Sequence, residues 1–340
     1  MNFKKEDLKN CYNIIRTGSH SFYSASRLLP KSIRDPAIVL YSFCRLADDV
    51  VDQGEKKDNS INVLKDRLEM AYLKKPFDSS TDRAFSKLVH DYKMPIELPM
   101  ALLQGLEWDF EGKRFRTLSD LHSYSARVAS SVGVMMCVLM NVRNKDVLAR
   151  ACDLGAAMQL TNIARDIGED ARNGRIYIPL DWMDEEKIDI QKFIQNPTSS
   201  PEVSRLAKRL LNEAEKLYLR AQTGLSCLPI GCRPGIFAAR HIYERIGKHI
   251  ASYNYNSITK RAYTTKLEKL SFLALSLANT ATTAVMPKSA VIHAAPLKEM
   301  NFLINVACKE NETFLSKKTN KLLKILEDLE RKDRVVKNFS

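Results

Sequence analysis

Gln159, Asn162, Asp166 and Asp170 fall at relative positions 0, 3, 7 and 11 of QLTNIARDIGED. At 100° per residue a helix keeps all four within an arc of about 80°. They rise out of VLARACDLGAAMQLTNIA, a small and apolar run that starts behind Lys145 and Asp146 and meets stop signals at Gly174 and Pro179. Tyr41, Arg45, Asp48 and Asp52, at positions 0, 4, 7 and 11 of YSFCRLADDVVD, form a second polar stripe within about 60°. Asp35 and Pro36 are predicted as its N-cap and first helical residue, and Gly54 as its stop. Isolated buried carboxylates take up protons instead of staying ionised. Two such pairs in apolar surroundings, each beside an arginine, therefore predict cations between them. Hard oxygen ligands that leave room for water and a substrate's phosphates suit Mg²⁺, with Mn²⁺ as the alternative ion. For either stripe alone an ordinary solvated face explains the residues as well; the repeated spacing argues against it.

On these residues the chain resembles a known family. Asp48 to Asp52 is similar to the DxxxD motif, and Asn162 to Asp170 to the NxxRDxxxD motif, of the squalene/phytoene synthases, the head-to-head prenyl synthases. SHSFYSASRLLP (Ser19 to Pro30), YSARVASSVGVMM (Tyr124 to Met136), NGRIYIPLDW (Asn173 to Trp182) and AARHIYERIGKHI (Ala238 to Ile250) extend the resemblance over about residues 12–270. Within the family the combination looks most like the bacterial phytoene synthases. One departure is Ser130, where the family usually has Gly.

The resemblance implies an all-α, isoprenoid-synthase-type helical bundle around a central cavity, built as one catalytic domain. It implies ionisation of an allylic diphosphate by Mg²⁺ held between Asp48/Asp52 and Asp166/Asp170, with Asn162 beside them, and a carbocation kept dry in an apolar tunnel. Tyr124 is expected near the cation and proton steps, Gln159 and Asn162 on the cavity wall, and Tyr41 beside the reacting centre. Arg45, Arg165 and Arg175, with Tyr177, are expected to clamp diphosphate. Ser19, Ser21 and Phe22 are expected as a flap over it, although Ser21 could equally be a helix N-cap. The implied reaction joins two geranylgeranyl diphosphates through a cyclopropylcarbinyl diphosphate to phytoene. No GxGxxG occurs, so no NADPH is expected. The alternatives are squalene or dehydrosqualene synthesis from farnesyl diphosphate, a non-catalytic relative acting in assembly, which would be expected to have lost the aspartates, and a head-to-tail prenyltransferase.

The elements that must position these residues are helical throughout, since no window of the 340 residues sustains period-two alternation. Leu118 to Asn141 reads as one helix whose small residues and methionines could wall a tunnel or simply pack a core. Gln104, Glu107, Asp109 and Glu111, near Trp108, read as a solvated helix end. The uncharged run of 18 residues from Leu270 to Pro287 contains several Ser and Thr and reads as a buried helix, not a membrane span. Residues 1–11 and 330–340 are expected to fray, the latter behind the amphipathic KLLKILEDL. Seven scattered cysteines without a CxxC pair fit reduced thiols in a cytoplasm. The net charge of +13, from 53 Lys and Arg against 40 Asp and Glu, suits a polyanionic substrate or an anionic membrane surface. Basic residues are not interleaved with aromatics, so no nucleic-acid partner is expected. The expected location is the cytoplasm, with peripheral contact to the inner face of the membrane for release of a lipid product.

Overall fold

The computed structural model describes residues 3–53, 60–285 and 289–308, and of 51–53 the backbone alone. Among the described residues every regular element is helical. In chain order they are α1 (Lys5–Gly18), α2 (His20–Ser26), α3 (Lys31–Gln53), α4 (Ser60–Tyr72), α5 (Ser80–Asp91), α6 (Glu97–Phe110) and α7 (Leu118–Ser125), then α8 (Ser131–Leu139), α9 (Lys145–Arg172), α10 (Leu180–Glu185), α11 (Ile190–Gln195), α12 (Pro201–Leu225), α13 (Arg233–Ser252) and α14 (Lys266–Val285). The all-α expectation holds.

The two stripe-bearing helices are the organising pair. In α9, Asn144 caps the start by accepting from the Asp146 and Val147 amides. Its 28 residues span about 42 Å and pack against α12, α13 and α8. α3 begins one turn earlier than predicted, because the Pro30 carbonyl already accepts from the Ile33 and Arg34 amides. Pro36 therefore lies inside the helix, where its missing N–H would strand the Ser32 carbonyl. The Tyr92 hydroxyl donates to that carbonyl at 3.1 Å. Asp35, expected as the N-cap, instead accepts from the Tyr12 hydroxyl at 2.6 Å.

The stretch expected as one helix from Leu118 to Asn141 is broken by a π-helical turn, Ala126–Ser130, between α7 and α8. Gly155 of α9 faces this turn: a Cβ there would stand 2.7 Å from the Ala129 carbonyl oxygen. Only glycine allows so close an approach. Ser130 is fully buried and donates to the Cys152 carbonyl at 2.8 Å, so the room that the family's Gly would leave is filled by a hydrogen bond across the wall.

Two further expectations change, and one falls outside the described residues. Residues 5–11 do not fray: they form the first turns of α1, with Asp7 buried against Arg83 at 2.6 Å. The C-terminal residues 330–340 and the KLLKILEDL segment lie outside the described residues. α14, expected to be buried, keeps only Ser276 and Thr280 inside. These hydroxyls donate to their own helix, to the Phe272 and Ser276 carbonyls, which lets polar residues face the packed side at little cost. All seven cysteines are free thiols.

Candidate active site

A cavity of about 430 Å³, within the range of small-molecule sites, runs between α3, α6, α8, α9, α12 and α13. Along α9 it is lined from Asn162 and Gln159 at one end through Gly155 and Ala151 to Val147 at the other, about 22 Å apart along the helix. The far end is closed by Met140, Val147, Arg150 and Leu228, and the walls between by Leu102, Leu106, Val132, Met136, Leu154 and Ile236. Polar side chains collect at one end: Tyr41, Arg45 and Asp48 from α3, Asp109 from α6, Tyr124 from α7, Gln159 and Asn162 from α9, and Tyr243 from α13. The two predicted stripes thus reach the same mouth. Phe22 of α2 lines it too, its ring stacked on Tyr41 with centroids 5.5 Å apart.

Asp166 and Asp170 sit one and two turns beyond Asn162. Asp166 is held by Arg165 at 2.5 Å and by Arg261 at 2.9 Å. Gly168 makes the second contact possible. A Cβ there would meet Ile258 Cα at 2.7 Å, so glycine lets the loop before α14 close on α9 and bring Arg261 in. The Asp170 carboxyl is pushed up to about 8, chiefly by burial and then by Asp166; Arg175 pulls it down, and Glu169 and Asp109 add to the rise. Arg45 reaches Asp49 at 2.5 Å and Asp48 at 3.4 Å. Asp52 lies in the last turn of α3, and its side chain is outside the described residues.

Asn162 Oδ1 is buried and has no hydrogen-bond partner. A buried, half-neutralised carboxyl and an orphaned amide oxygen are donors of the type a hard divalent ion takes. Among the described residues no three carboxylate, thiol or imidazole groups gather closely enough to enclose an ion by themselves.

Asp109 was not expected at the site. It leaves its acidic neighbours, since Glu107 turns away to Lys65 at 2.8 Å, and accepts from the Tyr124 hydroxyl at 2.8 Å and the Tyr177 hydroxyl at 2.7 Å. Burial raises its carboxyl to about 6 against the pull of the two tyrosines and Arg175, with Asp48 adding to the rise. The rings of Tyr124 and Tyr177 stack at 5.2 Å. Burial, then the Asp109 charge, keeps the Tyr124 phenol well above its usual range and so protonated. The sequence did hold a signal: Leu102, Leu106 and Asp109 are spaced i, i+4, i+7 on the cavity face of α6. Tyr243, which lines the cavity with Asn162, and Arg261 were also missed; each is brought in by long-range packing. Of the expected flap, Ser19 is the N-cap of α2, accepting from the Phe22 amide at 3.2 Å, and takes the role considered for Ser21. Ser21 is not on the cavity wall.

The squalene/phytoene synthase family model matches residues 15–268. A phytoene synthase of Rhodobacter capsulatus is 52% identical over 308 residues, covering 90% of this chain and 91% of its own. One from Cereibacter sphaeroides is 48% identical over 340 residues, covering 97% and 95%. Among solved structures, a dehydrosqualene synthase in complex with a ligand superposes with a TM-score of 0.74 at 28% identity, over 82% of this chain and 98% of that one. A squalene synthase from Alicyclobacillus acidocaldarius, at 21% identity and a TM-score of 0.68 over 74% of this chain and 95% of that one, shares the fold.

Proposed function

This chain belongs to the squalene/phytoene synthase family and is a prenyltransferase; from that premise we propose that it joins two geranylgeranyl diphosphates head to head, through a cyclopropylcarbinyl diphosphate, to phytoene, a step of carotenoid biosynthesis. The observation that carries the reading is the asymmetry of the cavity: Asp48, Asp109, Arg45 and the tyrosines gather at one end, and apart from Arg150 at the closed end the rest is largely hydrocarbon. The whole chain acts as one catalytic unit in this reading, without NADPH.

Asp48 and Asp52 on α3, with Asn162, Asp166 and Asp170 on α9, are the residues that would hold Mg²⁺. Bound there, Mg²⁺ would supply positive charge to the leaving diphosphate. Arg45, Arg165 and Arg175 would supply planar forks for the diphosphate oxygens. Gln159 and Asn162 orient the substrate head, and the Phe22–Tyr41 pair closes over it. The apolar wall keeps water from the allylic cation. Asp109, largely ionised at neutral pH, fixes the Tyr124 and Tyr177 hydroxyls as donors towards itself. Their stacked rings are thereby held at the cavity mouth, where electron-rich faces stabilise positive charge. We place the protein in the cytoplasm in peripheral contact with a membrane, since the product has no polar group; among the described residues no helix is long and apolar enough to cross one.

The reading is tested by incubating full-length protein with farnesyl or geranylgeranyl diphosphate, with and without Mg²⁺ and NADPH, and identifying the hydrocarbon. Phytoene from the C20 substrate, dependent on Mg²⁺ and indifferent to NADPH, is expected. Squalene or dehydrosqualene from the C15 substrate as the main product would replace it with the alternative. Asp48→Asn should abolish turnover while leaving the helical circular dichroism intact, which also separates catalysis from a scaffold role.

A further inference from the structure

α14 turns most of its apolar residues outward, with half-buried Phe272, its ring 6.1 Å from that of His241, and Leu273 as the exceptions. Its packed side carries Ser276, Thr280 and Asn279, the last bonded to His241 at 2.8 Å, with Thr283 against Arg233 and Glu268 against Arg245 and His249. Its outer side carries Leu267, Leu270, Leu277 and Val285, exposed to 80%, 65%, 55% and 87%, with Ala274, Ala278 and Ala281 between them. These seven follow i, i+3, i+4, i+7 spacing and make one apolar stripe facing outward. Scattered exposed leucines need no explanation, but a continuous stripe marks a surface that something covers.

We propose that this stripe is the face by which the protein lies on an anionic lipid surface. The pattern is that of an interfacial helix: apolar residues on one side, basic residues at the flank, a hydrophobic length too short and too polar to span. Exposed Lys260 and Lys266 lead into the helix on either side of Tyr263, itself 73% exposed, and exposed Lys248 of α13, paired with Glu244 at 3.2 Å, lines the groove beside its first turn. An aromatic ring among lysines suits the headgroup level of a bilayer, and the chain's net charge of +13 complements anionic lipid. The position fits the traffic of an apolar molecule. α14 packs on α13 and α2, the two helices whose Ile236, Ala239 and Phe22 wall one side of the cavity. Just ahead of α14, Arg261 reaches back to Asp166 at the mouth. The choice of lipid over a protein partner rests on the reaction proposed above, which leaves a hydrocarbon to be delivered.

The test is co-sedimentation of full-length protein with vesicles of phosphatidylcholine alone or mixed with phosphatidylglycerol, for the wild type and Leu270→Glu/Leu277→Glu. Binding to the mixed vesicles, weak binding to the neutral ones, and at least about a tenfold loss in the double variant are expected, with hydrocarbon formation in detergent micelles unchanged. Equal vesicle binding by the double variant overturns the proposal. So does sedimentation velocity showing a wild-type dimer that the substitutions split, which would make the occupant a second copy. A melting temperature lowered in the double variant without vesicles, its vesicle binding intact, also overturns it, since the chain's own remaining segment would then cover the face. Absence of product from the wild type in micelles would count against the proposed reaction, while the vesicle result still decides this face.

Discussion

Behind each end of the cavity wall stands a carboxylate shielded from water, Asp153 at one and Asp170 at the other, and the two are treated in opposite ways. At the closed end Asp153, fully buried, is matched inside the protein: Arg150 and Arg220 each stand 3.0 Å from its Oδ2. Arg150 also donates to the Val291 and Ala294 carbonyls at 2.8 and 2.9 Å, and Arg220 to the Ala295 carbonyl at 2.8 Å. Burial pushes Asp153 up from the usual carboxylate range and both arginines counter part of the rise, while its Oδ1 is left without a hydrogen-bond partner. At the open end Asp170 has Arg175 pulling one way and Asp166, Glu169 and Asp109 pushing the other, and it reaches about 8. A compensated carboxylate is a structural tie, here fastening residues 291–295 under the cavity floor. An undercompensated one is the kind that a cation from outside would stabilise, the role proposed for Asp170.

The contrast breaks if the floor proves dispensable. Asp153→Ala leaves the buried Arg150 and the half-buried Arg220 guanidinium without their shared carboxylate and should destabilise the fold by about 3–5 kcal/mol, read by chemical denaturation. A loss under about 1 kcal/mol would mean that Asp153 is no tie at all. The mouth should respond inversely. Asp170→Asn should lower turnover at saturating Mg²⁺ by about 10²–10³-fold yet leave the metal-free fold as stable as wild type or more so, by melting temperature.

Its pH behaviour sharpens the point. The folded-state pKa of Asp170 is raised from 3.8 to about 8, so the metal-free fold keeps a proton that the unfolded chain releases. Stability from this group is therefore present at low pH and lost as pH rises through that window. Metal-free wild type should melt at lower temperature at pH 8 than at pH 6, and Asp170→Asn should flatten that slope; an equal slope in the variant would remove Asp170 as its source. A smaller effect lies between the two ends. Gly155→Ala inserts a methyl against the Ala129 carbonyl and should cost about 1–3 kcal/mol, narrowing the middle of the cavity. The measurements are the melting temperature and the KM for the C20 substrate, the latter rising.

The two stripes were legible because helical period alone puts Asp48 with Arg45 and Asn162 with Asp166 on single faces, and the family motifs fix which faces meet. Asp109 was readable in principle from Leu102 and Leu106, but Glu107 and Glu111 on either side gave the segment the look of a solvated end. The floor tie was hidden for a different reason. Arg150 and Asp153 lie in the same apolar run as the second stripe, and the partner that explains them, Arg220, is 67 residues away. α14 was misread because an uncharged run implies burial only when its polar residues face out. Here Ser276 and Thr280 satisfy their hydroxyls on their own helix, which frees the leucines to face outward.

The central claim is that the α3 and α9 carboxylates share divalent metal over the substrate's diphosphate. The direct measurement is anomalous scattering from Mn²⁺ in crystals grown with a non-ionisable thiolo analogue of geranylgeranyl diphosphate. Peaks are predicted at about 2.0–2.2 Å from oxygens of Asp48 or Asp52 on one side and Asp166 or Asp170 on the other, with none near Asp153. Ions bound to the diphosphate alone, touching neither helix, would contradict it.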